Sequence, residues 1–368
     1  MRLPDAREVL SARRGREGRE IGRSREDRPI VAHRFGSGPL RVSLLGGCHA
    51  DEPVGPRLLR HLVGWLGELP GSHPALRDVE WWILPHLNPD GAARNRAWQH
   101  PDAGAYRLTE YLAHVVREGP GDDVEFGFPR GPGDREARPE NRAARRWWRS
   151  AEGPFHLHAS LHGMAVGRGP WFLLDRAWAD RSGDLQDACR RASREMGYRV
   201  HDEDRGGEKG FRRISEGFST RPDSRAMRDH FLERGDEETA RCFRPSSMET
   251  MRELGEDALT LVPEMPLFLV DGPADANGTP GGGTGGEGEG AGDGSRGTEA
   301  VTAAWKARWR DTLEGWAREL RSGAAEPGEV TGRARERGVS AMPVRDQMIL
   351  QWTFVRAGLE AVRRAAGV

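Results

Sequence analysis

An α/β fold is predicted from three observations along the first hundred residues. Arg28–His33 (RPIVAH) and Leu40–Leu45 (LRVSLL) are short, β-rich apolar runs separated by the turn FGSGP. Pro56–Leu66 (PRLLRHLVGWL) follows with helical spacing and a proline near its start, and Val79–Leu84 (VEWWIL) is another apolar run closed by Pro85. Strand, helix, strand within about 45 residues is the rhythm of a βαβ unit.

Pro120–Asn141 is rich in Gly, Pro and charge, so an irregular surface loop is expected there. Phe155–Leu161 (FHLHASL) alternates as a strand does, and Leu185–Met196 is amphipathic. Ala258–Val262 and Pro266–Val270 bracket a late strand. The segment 272–297 is a low-complexity Gly-rich stretch expected to be disordered; no GxxxxGK[ST] follows a strand, so it is not a phosphate loop. Beyond it Val301, Trp305, Trp309, Leu313, Trp316 and Leu320 recur at helical spacing, which predicts a packed helix face, and Met348–Val355 begins a second apolar segment. The expected organisation is a catalytic domain over residues 1–271, the Gly-rich linker 272–297, and a C-terminal helical segment over 298–368 packed on that domain.

Charge and cysteine content narrow the function classes. Acidic and basic residues nearly cancel (57 against 56), which argues against a nucleic-acid partner. Three widely spaced cysteines (Cys48, Cys189, Cys242) suggest neither a disulfide framework nor a CxxC metal knuckle, and fit a reducing compartment. The stretch MRLPDAREVLSARRGREGRE lacks an apolar core of signal-peptide length, and no later run reaches the roughly 18 apolar residues of a membrane span. A soluble, cytoplasmic protein with no membrane partner is expected.

Chemistry concentrates in a few short motifs. LGGCHADEPVG (Leu45–Gly55) places His49 and Glu52 three residues apart just after an apolar run. A catalytic zinc commonly takes two imidazoles and a carboxylate and leaves its fourth position open. LPHLNPDGAARNRAW (Leu84–Trp98) carries a strong turn signal followed by Arg94 and Arg96, and PENRAARRW (Pro139–Trp147) contains Asn141 and Arg142. SLHGM (Ser160–Met164) puts His162 before a glycine, and LVPEMPLF (Leu261–Phe268) sets Glu264 alone among apolar residues, where a carboxyl is costly unless paired or functional. His156 and His158 share the strand face of His162 and are read as packing or supporting residues, and Cys48 as a buried structural thiol.

Taken in order, REIGRSREDRPIVAHRFGSG, HADE, NPDG, NR, LHG and the late glutamate resemble the zinc carboxypeptidase family, including its murein-peptide amidase-like and cytosolic branches, over roughly residues 19–270. The resemblance implies a mixed, twisted eight-stranded sheet flanked by helices, here with a C-terminal helical extension. It implies one zinc ion held by His49, Glu52 and His162, with Glu264 as general base. Arg96, or else Arg94, corresponds to the arginine that polarises the scissile carbonyl, and Asn141 with Arg142 to the pair that holds the substrate's terminal carboxylate. Two features depart from the family pattern: Pro139-Glu140 precedes the Asn-Arg pair, and none of Tyr106, Tyr111 and Tyr198 matches the mobile tyrosine of the digestive members. The implied activity is hydrolysis of an amide next to a free carboxylate in a peptide or acyl-amino acid. An N-acyl-amino-acid deacylase of the aspartoacylase type and a catalytically silent binding protein are the alternatives.

Overall fold

The computed structural model describes residues 3–15, 18–255, 257–270 and 301–367. The Gly-rich stretch 272–297 lies outside the described residues. The chain forms a mixed sheet flanked by helices on both faces. Its strands are β1 (Arg19–Arg23), β2 (Pro29–Phe35), β3 (Leu40–Gly46), β4 (Val79–Leu84), β5 (Leu157–Gly167), β6 (Trp171–Leu174), β7 (Arg213–Ser215), β8 (Phe218–Thr220), β9 (Leu259–Leu269) and β10 (Ser340–Ala341). They lie in the order β1-β2-β4-β3-β5-β9-β6-β8-β7, with β10 paired to β9. Among the described residues the sheet therefore has ten strands where eight were expected, the additional pairing coming from short strands such as the two-residue β10.

β4, β3, β5 and β9 run parallel and make the centre of the sheet. β1 and β2 form the expected antiparallel hairpin at one edge. Central parallel strands are covered on both faces, which is why VEWWIL reads as an uninterrupted apolar run rather than an alternating one. One face packs the helices Val54–Glu68, Gly183–Glu195 and Val344–Ala366 over Leu44, Leu157, Leu261 and Phe172. The other packs helix Pro139–Trp148 through Ala143, Ala144 and Trp147 onto Ile30, Trp82 and Phe155.

Two elements differ from expectation. The irregular loop ends at residue 138, because Pro139 stands in the first turn of a helix, where its fixed φ is favourable and its missing N–H costs nothing. Asn141 and Arg142 thus belong to that helix. The late strand is continuous through Pro263 and Pro266. Its register with β5 runs from Leu157↔Leu259 to Ala159↔Leu261 and resumes at His162↔Glu264, so Pro263 falls in the interruption of that ladder while pairing with Phe172 of β6 on the other side.

Candidate metal centre and cleft

The site lies at the carboxyl end of β3, where ligands collect in sheets of this kind. β3 stops at the pair Gly46↔Leu161, so the next residue of β5, His162, projects beyond its neighbour into the space filled by the turn Cys48–Pro53. His162 lies within a strand that continues to Gly167, and does not end it as SLHGM suggested. Gly55 makes the approach possible: a Cβ there would stand 2.6 Å from the Leu161 carbonyl oxygen, so only glycine lets the start of helix Val54–Glu68 lie against β5.

Three donors converge. His49 Nδ1 is 2.8 Å from Glu52 Oε1, His162 Nδ1 is 2.8 Å from Glu52 Oε2, and the two Nδ1 atoms are 3.2 Å apart. Tetrahedral zinc with Zn–N near 2.0–2.1 Å would separate its ligand atoms by about 3.3 Å. The donor set therefore fits that ion. A second group, Cys48, Glu125 and the Nε2 side of His162, also lies within metal-binding distance. It shares His162 with the first group, and burial with the charge of Glu125 raises the pKa of the Cys48 thiol.

The far side of each imidazole meets a carboxylate. His49 Nε2 faces Asp123 at 3.5 Å, and His162 Nε2 faces Ser160 Oγ at 2.9 Å and Glu125 Oε2 at 3.3 Å. Glu125 is itself held by the backbone N–H and hydroxyl of Ser247 at 2.9 and 2.7 Å. Such partners orient the rings and leave Nδ1 for the metal. The NPDG turn contributes here too. Asn88 caps helix Pro89–Arg94 through Gly91 N and donates to the Cys48 carbonyl, while Glu118 accepts from Ala50 N, so the peptides on both sides of His49 are pinned.

The electrostatics favour a bound cation. Burial disfavours charge on His162, yet Glu52 and Glu125 outweigh it and lift its pKa to about 10; Glu52 and Asp123 likewise raise His49. Burial alone would raise Glu52, but the two imidazoles hold it below the usual carboxylate range. Glu264, the neighbour of His162 across the β5–β9 ladder, is pushed up to about 8 by burial and by the charge of Glu52.

A cleft opens beside this centre. Its inner part is lined by His49, Glu52, Asp51 and Asp123, and it shares Arg117 and the strand Gly163–Val166 with a cavity of about 750 Å³ that Glu264 also lines. Arg117 is bound to Asp51 at 2.7 Å and to the Tyr111 hydroxyl; burial opposes its charge, but Asp51 more than compensates and raises its pKa.

The other arginines named from sequence are elsewhere. Arg94 is exposed and paired with Glu26, Arg96 is exposed, and neither lines the cleft. Asn141 is fully buried and donates to the Val124 carbonyl at 2.6 Å, while Arg142 donates to the carbonyls of Arg135 and Ala137. Neither side chain lines the cleft; both are bound to backbone carbonyls of the loop that precedes helix Pro139–Trp148. Asp123, Glu125 and Arg117 were not legible as site residues; the only signal was the acidic cluster in GDDVEF, in a segment that otherwise reads as loop.

Fold and site together define an α/β protein with a His-Glu-His cluster able to hold a metal ion. Residues 17–167 match the zinc carboxypeptidase family model, a segment that includes His49, Glu52 and His162, and the resemblance read from the motifs is borne out. Carboxypeptidase D of Anas platyrhynchos is 32% identical over 139 residues, 35% of this chain and 10% of that protein. Carboxypeptidase SOL1 of Arabidopsis thaliana is 30% identical over 132 residues, 34% of this chain and 24% of that protein. The matches thus span a tenth and about a quarter of those relatives. Carboxypeptidase A of Helicoverpa armigera superposes with a TM-score of 0.44 at 12% identity, over 95% of this chain and 69% of that one.

Proposed function

We propose that this chain is a zinc-dependent metallocarboxypeptidase, hydrolysing an amide bond adjacent to a free carboxylate in a peptide or acyl-amino acid. The observation that carries the reading is the convergence of His49 Nδ1, the Glu52 carboxylate and His162 Nδ1 beside Glu264, at the mouth of a cavity of substrate size. His49, Glu52 and His162 would hold one zinc ion, which when bound supplies Lewis acidity and a water that ionises near neutral pH. Glu264 is the general base. Its buried setting makes its carboxylate a strong proton acceptor, able to take the water's proton and return it to the leaving nitrogen. Arg117 is the arginine proposed to stabilise the developing oxyanion, in place of Arg94 or Arg96; the support is that it lines both parts of the cleft.

Elemental analysis after dialysis against dilute chelator tests the metal, with about one zinc per chain expected in the wild type and none in His162→Ala. Glu264→Gln should keep its zinc and lose hydrolysis of a peptide panel by at least about 100-fold, within the range ascribed to general bases. A wild-type chain that binds no zinc after reconstitution would sink the reading.

A further inference from the structure

The cavity beside Glu264 has a wall that no family motif accounts for. Helix Ala303–Ser322, from the C-terminal part of the chain, brings Trp305, Lys306 and Trp309 to the cavity that Trp171 and Phe211 also line. Trp171 and Phe211 are stacked at 5.3 Å, and Trp305 and Trp309 lie 6.3 Å apart. All four rings line a cavity of about 750 Å³, with the His201 ring in contact with both Trp171 and Trp305 at 5.7 and 5.9 Å, an aromatic lining suited to an aromatic or long apolar group.

Among the charged residues that line the cavity, Glu203, Arg205 and Lys306 form one connected cluster. Glu203, buried to 4% exposure, accepts from Arg205 Nε at 2.8 Å, from Arg205 Nη2 at 3.2 Å and from Lys306 Nζ at 2.7 Å. Its remaining neighbour, His201, is kept neutral by burial. Two permanent cations thus share one carboxylate, leaving an excess positive charge. Arg205 Nη1 and two of the three Lys306 protons have no partner among the described residues. The guanidinium lies 4.1 Å from the Phe211 ring centroid and 5.0 Å from that of Trp171, and Trp171 is the ladder partner of Glu264. Arg205, stacked on those rings, and Lys306 therefore line the same cavity as Glu264.

We infer that Arg205 and Lys306, preorganised on Glu203, hold the free carboxylate of the substrate, and that the Trp171–Phe211–Trp305–Trp309 lining takes its aromatic or long apolar side chain. This rests on the peptidase reading for what is cleaved, and it gives the anchoring role expected of Arg142 to residues that face the cavity. A guanidinium already fixed by one carboxylate offers its outer edge to a second with little further ordering. Glu203 tunes the anchor, because it cancels one of the two charges.

Calorimetric titration of the zinc-loaded, full-length chain with N-acetyl-phenylalanine and with its C-terminal amide tests the assignment. The acid should bind about tenfold more tightly than the amide, a preference lost in Arg205→Gln and Lys306→Gln and kept in Arg142→Gln. Absence of the preference in the wild type, its persistence in Arg205→Gln and Lys306→Gln chains that keep their circular dichroism spectrum, or its loss in Arg142→Gln would each overturn the proposal. Elemental analysis of the same samples reads the metal separately: zinc without the predicted pattern defeats this inference alone, and the pattern without zinc defeats the peptidase reading alone.

Discussion

Glu125 is a buried carboxylate placed to orient His162, one of the proposed zinc ligands. At 2% exposure it accepts from both Ser247 donors and stands behind His162, so its loss would free the ring to turn and remove the partner that makes Nδ1 a better donor. Glu125→Gln should weaken zinc binding by about 10- to 100-fold in a chelator competition. Affinity equal to wild type would mean that the Ser160 hydroxyl suffices. His158, two residues earlier on the same face, has the opposite environment. It lies between the hydroxyls of Ser43 and Ser247 at 3.0 and 3.1 Å, and burial lowers its pKa to about 3. The unfolded chain takes up this proton near pH 6.5 and the folded chain only near 3, so the stability it contributes is complete above 6.5 and drains away as pH falls through that window. The loss is up to about 1.4 kcal/mol per pH unit. The urea midpoint should therefore fall more steeply between pH 6.5 and 4.5 in wild type than in His158→Gln, and equal slopes would refute the assignment.

At the scale of elements, the contact between helix Val54–Glu68 and β5 decides whether Glu52 reaches His162. Alanine at position 55 would gain up to about 1 kcal/mol of helix propensity. It would also press its Cβ against the Leu161 carbonyl at 2.6 Å and the Leu161 Cβ at 2.7 Å, neither of which can swing aside. Overpacking of this kind costs about 1–3 kcal/mol, so the clash wins. Gly55→Ala should lower Tm and loosen zinc together. A variant with raised Tm and unchanged zinc would show that the helix start can slide without disturbing the ligands.

For the molecule as a whole, the C-terminal helices are continuous with the main core. Helix Val344–Ala366 lies under the sheet, with Trp352 at 1% exposure against Trp81 and its indole N–H donating to the Pro4 carbonyl at 3.0 Å. The preceding residue, Gln351, donates to the carbonyl of His162 at 2.9 Å, so the last helix also braces the strand that carries a proposed ligand. Trp352→Ala should cost about 3–5 kcal/mol. Thermal unfolding should be one transition, reported alike by near-ultraviolet and far-ultraviolet dichroism; a separate early melt of the C-terminal helices would contradict this shared core. Among the described residues no helix is long and apolar enough to cross a membrane.

What could be read before folding was whatever a local pattern encodes. Strand and helix periodicity located the central elements to within a few residues, and HADE, LHG and the isolated Glu264 were visible because a charged or ligating group next to an apolar run is costly wherever the chain goes. Asn141-Arg142 was equally visible as a dipeptide, yet Pro139 begins a helix whose first turn buries the asparagine and ties the arginine to nearby carbonyls. Asp123, Glu125, Arg117, Arg205 and Lys306 had no such local mark. Their neighbours are remote in the chain: His49 and His162 are 113 positions apart, and Lys306 meets Glu203 across 103. Contacts of that span leave no periodic trace in composition or spacing; only the packing of β3, β5 and β9, closed by the helix Ala303–Ser322, brings their charges close enough to act on one another.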